Sequence, residues 1–248
     1  MFDKKNYWKP NNYLILLSGL SASQYLSEGK KLIDEGIIDF LPNCKAYPES
    51  IHEAMSYSLL AGGKRLRPVL VMAASEAVGG DRYAVLPFAV AAEMIHTYTL
   101  IHDDLPALDN DDLRRGKPTN HKVFGEATAI LAGDALLTQA FILMTRAVGM
   151  DSVPPDCLLK ATHEMASALG STGMIGGQVV DLESEGKPIT VETLEYIHIY
   201  KTGFLIRACI RCGGILSQAT EGQLNSLSRF GAHIGLAFQI IDDILDIT

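Results

Sequence analysis

The sequence predicts an all-α protein, a bundle of roughly ten helices around a central cavity. Apolar residues recur at helical spacing in most long segments, and glycine or proline residues separate these segments from one another. No segment shows the alternation of apolar and polar residues that a strand or hairpin requires. We expect a single domain over residues 20–248, preceded by a loosely ordered arm at residues 1–19.

Four helices are predicted in the first part of the chain. They cover residues 21–40, which begin with capping serines, then 49–61, 69–78 and 83–104. Glycine pairs follow the second and third of these segments, as expected where helices stop. The fourth is apolar on nearly every side, which predicts a buried central helix that ends before Pro106.

The rest of the chain continues the helical pattern with two interruptions. An apolar helix is predicted at residues 126–148 and a more exposed one at 154–168, followed by a turn rich in helix breakers at 170–177. A further helix starts after Thr190, a break or kink is expected at 201–203, and the last helix runs from about residue 220.

Composition excludes several classes of function. The formal net charge of −8 disfavours nucleic acid and anionic membrane surfaces as partners. The four cysteines are too few for a disulfide framework, and we interpret Cys209 and Cys212 as core residues despite their CxxC spacing. No membrane-spanning segment is expected, and the cysteine usage predicts a cytoplasmic protein.

Residues 102–116 contain five aspartates followed by two arginines. Carboxylates at this density suit Mg²⁺, which binds protein oxygens together with substrate phosphates. The arginines then have phosphate oxygens as natural partners. The spacing does not fit a calcium-binding EF-hand, whose sixth and twelfth positions require glycine and glutamate but hold Leu108 and Arg114 here.

A second acidic cluster lies near the end of the sequence, where Asp242, Asp243 and Asp246 fall on one helix. Residues three and four apart share a helix face, so Asp246 can lie beside either of the other two. Like charges on an apolar helix need compensating cations. Two such clusters together favour a metal-dependent site over two solvated surfaces.

A basic turn completes the set. Lys64, Arg65 and Arg67 follow a glycine pair at a predicted helix start, where free backbone N–H groups favour an anion. The pattern is not a Walker A loop, because the required earlier glycine and the Ser or Thr after the lysine are missing. His96 lies two turns before Asp103 on the same predicted helix.

These motifs together resemble the trans-type isoprenyl diphosphate synthases, specifically bacterial farnesyl and type II geranylgeranyl diphosphate synthases. The resemblance covers residues 50–246. It is carried by the basic turn at 62–68, the aspartate motif at 103–109 with the Arg-Arg-Gly at 114–116, the Gly-Gly-Gln at 176–178 with Asp181, the Lys-Thr at 201–202, and the Phe-Gln at 238–239 before the second aspartate cluster.

The resemblance implies an enzyme that joins an allylic diphosphate to isopentenyl diphosphate with the help of Mg²⁺. The implied ligands of about three Mg²⁺ ions, with Mn²⁺ as a substitute, are Asp103, Asp104, Asp109, Asp242, Asp243 and Asp246. The implied contacts are Arg114, Lys201, Thr202 and Gln239 for the allylic diphosphate, and Lys64, Arg67, His96 and Arg115 for isopentenyl diphosphate. A homodimer is implied as well.

The resemblance also implies that Tyr98 and Thr99 govern product length. Tyr98 lies five residues before Asp103, about 7 Å lower along a helix. A bulky aromatic there is expected to form a floor that favours farnesyl diphosphate over the alternative, geranylgeranyl diphosphate. Members of the family continue for some tens of residues beyond the second aspartate motif, so we expect this chain to lack their C-terminal helices.

Two other classes of protein remain open. A class I terpene cyclase shares the helical bundle and the first aspartate motif, but needs no second diphosphate site. A catalytically silent subunit of a prenyltransferase heteromer would be expected to lose motif aspartates, which are all present here. Analysis of the reaction products distinguishes a prenyl diphosphate synthase from these two alternatives.

Overall fold

The computed structural model of the protein describes residues 20–146 and 152–245. The predicted arm at residues 1–19 lies outside the described residues. Within these two stretches the regular secondary structure is helical, apart from one short pairing between β1 (Leu113–Arg114) and β2 (Lys117–Pro118). The all-α prediction is confirmed.

Helices α1 (Ala22–Phe40), α2 (Glu49–Leu59), α3 (Leu66–Ala77) and α4 (Leu86–Asp103) match the first four predicted helices. Ser21 caps α1 through a reciprocal pair of hydrogen bonds with Gln24. Helix α4 is buried around nearly its whole circumference, as its apolar sequence predicted. It carries the first aspartate motif at its C-terminal end.

The second half contains α5 (Asn120–Phe124), α6 (Glu126–Arg146), α7 (Pro155–Leu169), α8 (Met174–Ser184) and α9 (Val191–Ile197). A π-helical turn at His198–Gly203 leads directly into α10 (Phe204–Leu216), and α11 (Glu221–Leu245) follows. The prediction of a turn over residues 170–177 was wrong in part, because α8 begins at Met174 and includes Gly176 and Gly177. The prediction of a break at 201–203 is met by the π-helical turn, which widens the helix without ending it.

Helix α6 packs along α4, and its small residues make the close approach possible. A β-carbon on Gly133 would lie 2.1 Å from Nε2 of His102 on α4, and that nitrogen lies 3.0 Å from the carbonyl oxygen of Ile130. Contrary to our expectation from the sequence, residues 126–145 are long and apolar enough to cross a membrane, with a mean hydropathy of 1.6. A core helix meets the same criteria, and Ala129, Ala132 and Leu136 are fully buried.

The two cysteines of the CxxC pair lie in the core on α10. Cys209 and Cys212 are buried, and the Cys212 thiol donates to the carbonyl oxygen of Ala161, 3.3 Å away. Burial raises the pKa of the Cys209 thiol to about 12. Their interpretation as core residues agrees with this placement.

Candidate active site

The first aspartate motif begins where α4 ends. Asp103 is the last residue of α4, and the chain then folds back so that the backbone N–H of Asp109 donates to the carbonyl oxygen of Asp103, 2.8 Å away. Asn110 adopts a left-handed backbone with a φ of 52° in this turn, a conformation that asparagine tolerates better than most residues. The fold therefore places Asp103 and Asp109 side by side at the helix end.

The electrostatics at Asp103 are those of crowded carboxylates. Burial raises the pKa of Asp103 to about 6, the positive charge of Lys201 opposes this rise, and the negative charges of Asp109 and Asp104 add to it. An ionised Asp103 thus lacks full compensation from the protein. A divalent cation with a preference for oxygen ligands would supply it.

Lys201 faces this carboxylate pair from the π-helical turn. Its Nζ lies 2.6 Å from Oδ2 of Asp181 on α8. Burial alone would lower the pKa of Lys201, but Asp181, Asp103 and Asp109 outweigh it and raise the pKa. A β-carbon on Gly177 would lie 2.4 Å from the backbone nitrogen of Lys201, so the glycine lets α8 approach the turn closely. Thr202 follows in the same turn and is half-buried.

Asp104 has a different partner from Asp103, the preceding residue. Its Oδ1 accepts from Nε of Arg114 at 2.7 Å and from Nη2 at 2.5 Å, and the residue is only 4% exposed. Arg114 also donates to Asp111 at 3.0 Å. Among the side chains that the structure describes, which do not include those of Asp242 and Asp243, no three of His, Cys, Asp or Glu stand close enough together to hold a metal ion. The structure thus brings Asp103 and Asp109 together and pairs Asp104 with Arg114.

A separate basic group lies around His96, about two helical turns before Asp103 along α4. Nη1 of Arg67 lies 3.1 Å from Nε2 of His96, and Arg115 donates to the carbonyl oxygen of Gly62 in the glycine pair. Desolvation, reinforced by Arg67 and Arg115, lowers the pKa of His96 well below its usual value. His96 is therefore neutral near pH 7, while Lys64 is exposed beside the group.

Arg65 does not belong to the exposed face of this turn, although the sequence suggested a turn of three cations. Its guanidinium is buried between Asp34 of α1 and Glu93 of α4. Sequence reasoning missed both acidic partners. Glu93 is the one acidic residue within an otherwise apolar stretch of α4, and that isolation is the signal that could have identified it.

The second aspartate cluster lies at the end of α11. Asp242 and Asp243 fall within this helix, the description does not extend to their side chains, and Asp246 lies outside the described residues. A β-carbon on Gly235 would lie 2.8 Å from Cα of Gly203, so α11 meets the π-helical turn closely. Gln239, half-buried, comes one helical turn later on the same face.

Tyr98 lies below the aspartate motif on α4. Its ring is buried and meets the imidazole of His102 edge to face, with 5.7 Å between the centroids. Burial, together with the charge of Asp103, raises the pKa of Tyr98 to about 12. Thr99, also buried, donates its hydroxyl to the carbonyl oxygen of His96 at 2.8 Å.

The all-α bundle, with carboxylates facing a lysine at the end of α4 and a basic group about two turns earlier on the same helix, is the arrangement expected of a helical enzyme that acts on diphosphates. The chain belongs to the polyprenyl synthetase family, whose model matches residues 48–248.

Known relatives agree with this membership. The chain is 50% identical to the farnesyl diphosphate synthase of Geobacillus stearothermophilus, over 93% of this chain and 77% of that protein. It is 49% identical to the large subunit 1 of the heterodimeric geranylgeranyl pyrophosphate synthase of Arabidopsis thaliana, over 93% of this chain and 62% of that one.

A solved structure shows the same architecture. The crystal structure of an FPP/GFPP synthase from Zymomonas mobilis superposes with a TM-score of 0.85 at 39% identity, covering 91% of this chain and 81% of that one. The predicted family and fold are confirmed.

Proposed function

We propose that this protein is a prenyltransferase that condenses dimethylallyl or geranyl diphosphate with isopentenyl diphosphate in a head-to-tail addition. One observation carries the proposal: two differently charged groups of side chains lie about two helical turns apart along α4. Asp103, Asp109 and Lys201 form the acidic side of the site at the end of α4, and Arg67, His96 and Arg115 form its basic side around His96. A reaction between two diphosphates requires two such sites, whereas a cyclase requires one.

The acidic side is proposed to receive the allylic diphosphate. Asp103 and Asp109, with Asp242, Asp243 and Asp246 as further candidates, would hold the Mg²⁺ ions, about three in number and replaceable by Mn²⁺. Asp104 is proposed to act by anchoring Arg114. When bound, these ions would neutralise the charge on the departing diphosphate. The cationic side chain of Lys201, with Arg114, Thr202 and Gln239, is proposed to grip the same diphosphate.

The basic side is proposed to hold isopentenyl diphosphate through Lys64, Arg67, His96 and Arg115. The bond between C1 of the allylic substrate and its diphosphate oxygen breaks, and the double bond of isopentenyl diphosphate attacks C1. The carbocation that results loses a proton, which the departed diphosphate can accept, and this completes the step. Protein side chains contribute by holding the two substrates in position and by stabilising developing charge, without a covalent nucleophile.

Farnesyl diphosphate is the proposed product, with geranylgeranyl diphosphate as the alternative. The buried ring of Tyr98 on the helix that ends at Asp103 supports the shorter product, since it occupies space below the allylic site. The names of the relatives include both products.

The experiment that tests this function is product analysis. The protein is incubated with Mg²⁺, isopentenyl diphosphate and either dimethylallyl or geranyl diphosphate, and both diphosphate release and product length are measured. We expect a linear farnesyl product that disappears when the metal is chelated. A cyclic hydrocarbon would favour the cyclase, and the absence of diphosphate release would favour the silent subunit.

A homodimer is proposed as the working form. Helix α6 leaves Ile130, Leu131 and Ile142 between 41% and 58% exposed, an apolar stripe that a second copy could cover. Leu131→Arg should therefore yield monomers in analytical ultracentrifugation. Leu159→Arg, at a leucine of α7 that is 73% exposed, is the control and should leave the dimer intact. The cytoplasmic location expected from the cysteines stays a prediction.

A further inference from the structure

Arg65 occupies a strained position in the basic turn. Its backbone is left-handed, with φ 52° and ψ 33°, immediately before α3 begins. A residue with a β-carbon rarely adopts this conformation unless the surrounding structure enforces it. Lys64 before it is exposed, whereas Arg65 is only 3% exposed. The left-handed conformation of the turn therefore depends on the contacts of the buried Arg65 guanidinium.

Three hydrogen bonds hold that guanidinium. Nη1 donates to Oε1 of Glu93 at 2.7 Å, Nε donates to Oδ1 of Asp34 at 2.9 Å, and Nη2 donates to the carbonyl oxygen of Leu59 at 2.7 Å. These acceptors belong to α4, α1 and the end of α2. The planar fork of an arginine suits such divergent, directional contacts, which a lysine could not reproduce. The turn is thereby fixed to three helices at once.

Glu93 links this anchor to the basic side of the site. It lies three residues before His96, so both occupy the same face of α4. Glu93 is 1% exposed, and its Oε2 has no hydrogen-bond partner within the parts of the chain that the structure describes. Burial raises the pKa of Glu93, while the positive charges of Arg65, Arg67 and Arg115 oppose that rise. Its carboxylate is thus the negative charge around which three arginines assemble.

We infer that Arg65 and Glu93 are positioning residues for the isopentenyl diphosphate site. Neither side chain has to touch the substrate. Glu93 fixes Arg65, the fixed Arg65 holds the turn in its left-handed form, and the turn places Lys64 and Arg67 around His96. The carboxylate also offsets the mutual repulsion of the arginines while no diphosphate is bound. This inference rests on the proposed function, since it assigns a substrate to the basic group.

The test compares isopentenyl diphosphate binding in two matched variants. Glu93→Gln keeps the side-chain shape and removes the charge. The control is Glu76→Gln, because Glu76 forms another enclosed ion pair in which its Oε1 accepts from Nε of Arg82 at 2.5 Å, outside both charged groups. Binding of isopentenyl diphosphate is measured by calorimetry, the KM of each substrate is measured in turnover, and the melting temperature is measured for every variant.

We expect Glu93→Gln to weaken isopentenyl diphosphate binding about tenfold, at the lower end of what loss of a supporting partner costs a metal site. The KM of the allylic substrate should stay unchanged, and Glu76→Gln should alter neither substrate constant. Equal binding by wild type and Glu93→Gln, or no binding by the wild type, would overturn the inference. Wild-type binding without condensation would instead refute the proposed function, and the comparison of affinities would still decide the role of Glu93.

A double variant separates positioning from stability. The double variant Arg65→Met with Glu93→Leu replaces the pair with apolar residues of similar volume. Its melting temperature should return to about that of the wild type, because buried ion pairs are often replaceable in this way. It should not restore affinity for isopentenyl diphosphate, since nothing then holds the turn to α4. Recovery of both properties together would show that the ion pair serves stability alone.

Discussion

Nε of Arg114 lies 2.7 Å from Oδ1 of Asp104, so one carboxylate of the first aspartate motif already has a cationic partner. Asp103, its neighbour in sequence, instead shares its surroundings with Asp109 and Lys201. We therefore expect the two adjacent aspartates to respond differently to the same substitution. Asp103→Asn should reduce Mg²⁺-dependent turnover about 100- to 1000-fold, as loss of a transition-state stabilising group does.

Asp104→Asn should act mainly through Arg114, which would lose its anchor. The expected result is a raised KM for the allylic diphosphate, with the Mg²⁺ concentration for half-maximal activity close to that of the wild type. A Mg²⁺ titration of both variants at saturating substrate checks this difference. If the Mg²⁺ concentration for half-maximal activity rises equally in both variants, the prediction is wrong and Asp104 is a metal ligand like Asp103.

Asp181 is expected to act through Lys201. Asp181→Asn removes the charge that lies 2.6 Å from Nζ of the lysine, so the ammonium group should become less well placed. We predict a loss in kcat/KM for the allylic substrate of about tenfold, the usual scale for a supporting partner. Glu164→Gln is the matched control, because Glu164 accepts from Nε of Arg211 at the same distance. A similar kinetic loss in both variants would argue for a general effect on stability.

Tyr98→Ala should lengthen the product. Removal of the ring opens space below Asp103, so chains longer than farnesyl should appear in chromatographic analysis. Phe88→Ala is the control, since it removes an equally buried ring on the same helix about 15 Å further from the motif. It should leave product length unchanged while Tyr98 still forms the floor. Unchanged length from Tyr98→Ala would remove Tyr98 from the determinants, and Thr99→Ala would be the next variant.

His96 should contribute to the pH dependence of stability. Because the pKa of His96 is lowered in the folded protein, the unfolded chain takes up its proton first as the pH falls below about 6.5. The free energy of unfolding should therefore decrease towards acid, by at most about 1.4 kcal/mol per pH unit from this residue. His96→Gln, which keeps a neutral side chain, should lose that part of the dependence in denaturant titrations at pH 5 and 7. If the free energy of unfolding falls by the same amount between pH 7 and pH 5 in both proteins, the pKa of His96 is not lowered by folding.

Local patterns predicted the scaffold of the site well. Glycines 62 and 63 mark the start of the basic turn, and Pro106 follows the helix whose last residue is Asp103. The apolar sequence of α4 predicted its burial, because a helix without a polar face has to be enclosed. These features depend on neighbours within a few residues, which the sequence displays directly.

Long-range contacts account for what was missed. Arg65 and Glu93 are 28 residues apart, so no local pattern shows that the arginine turns inward. Gly176 and Gly177 were interpreted as helix breakers, yet a helix passes through both, and at Gly177 the close packing against Lys201 leaves no room for a β-carbon. In both cases tertiary packing overrides the preference that the local sequence indicates.

The wide turn at residues 198–203 also limits how this segment can change in length. A π-helical turn holds about one residue more than an α-helical turn, so deleting one residue here would convert the segment into ordinary α-helix. The local widening that presents Lys201 to Asp181 would then be lost, and no rearrangement of side chains could restore it. Substitutions should thus be tolerated in this segment far more readily than single-residue deletions, and homologous sequences should align through it without gaps.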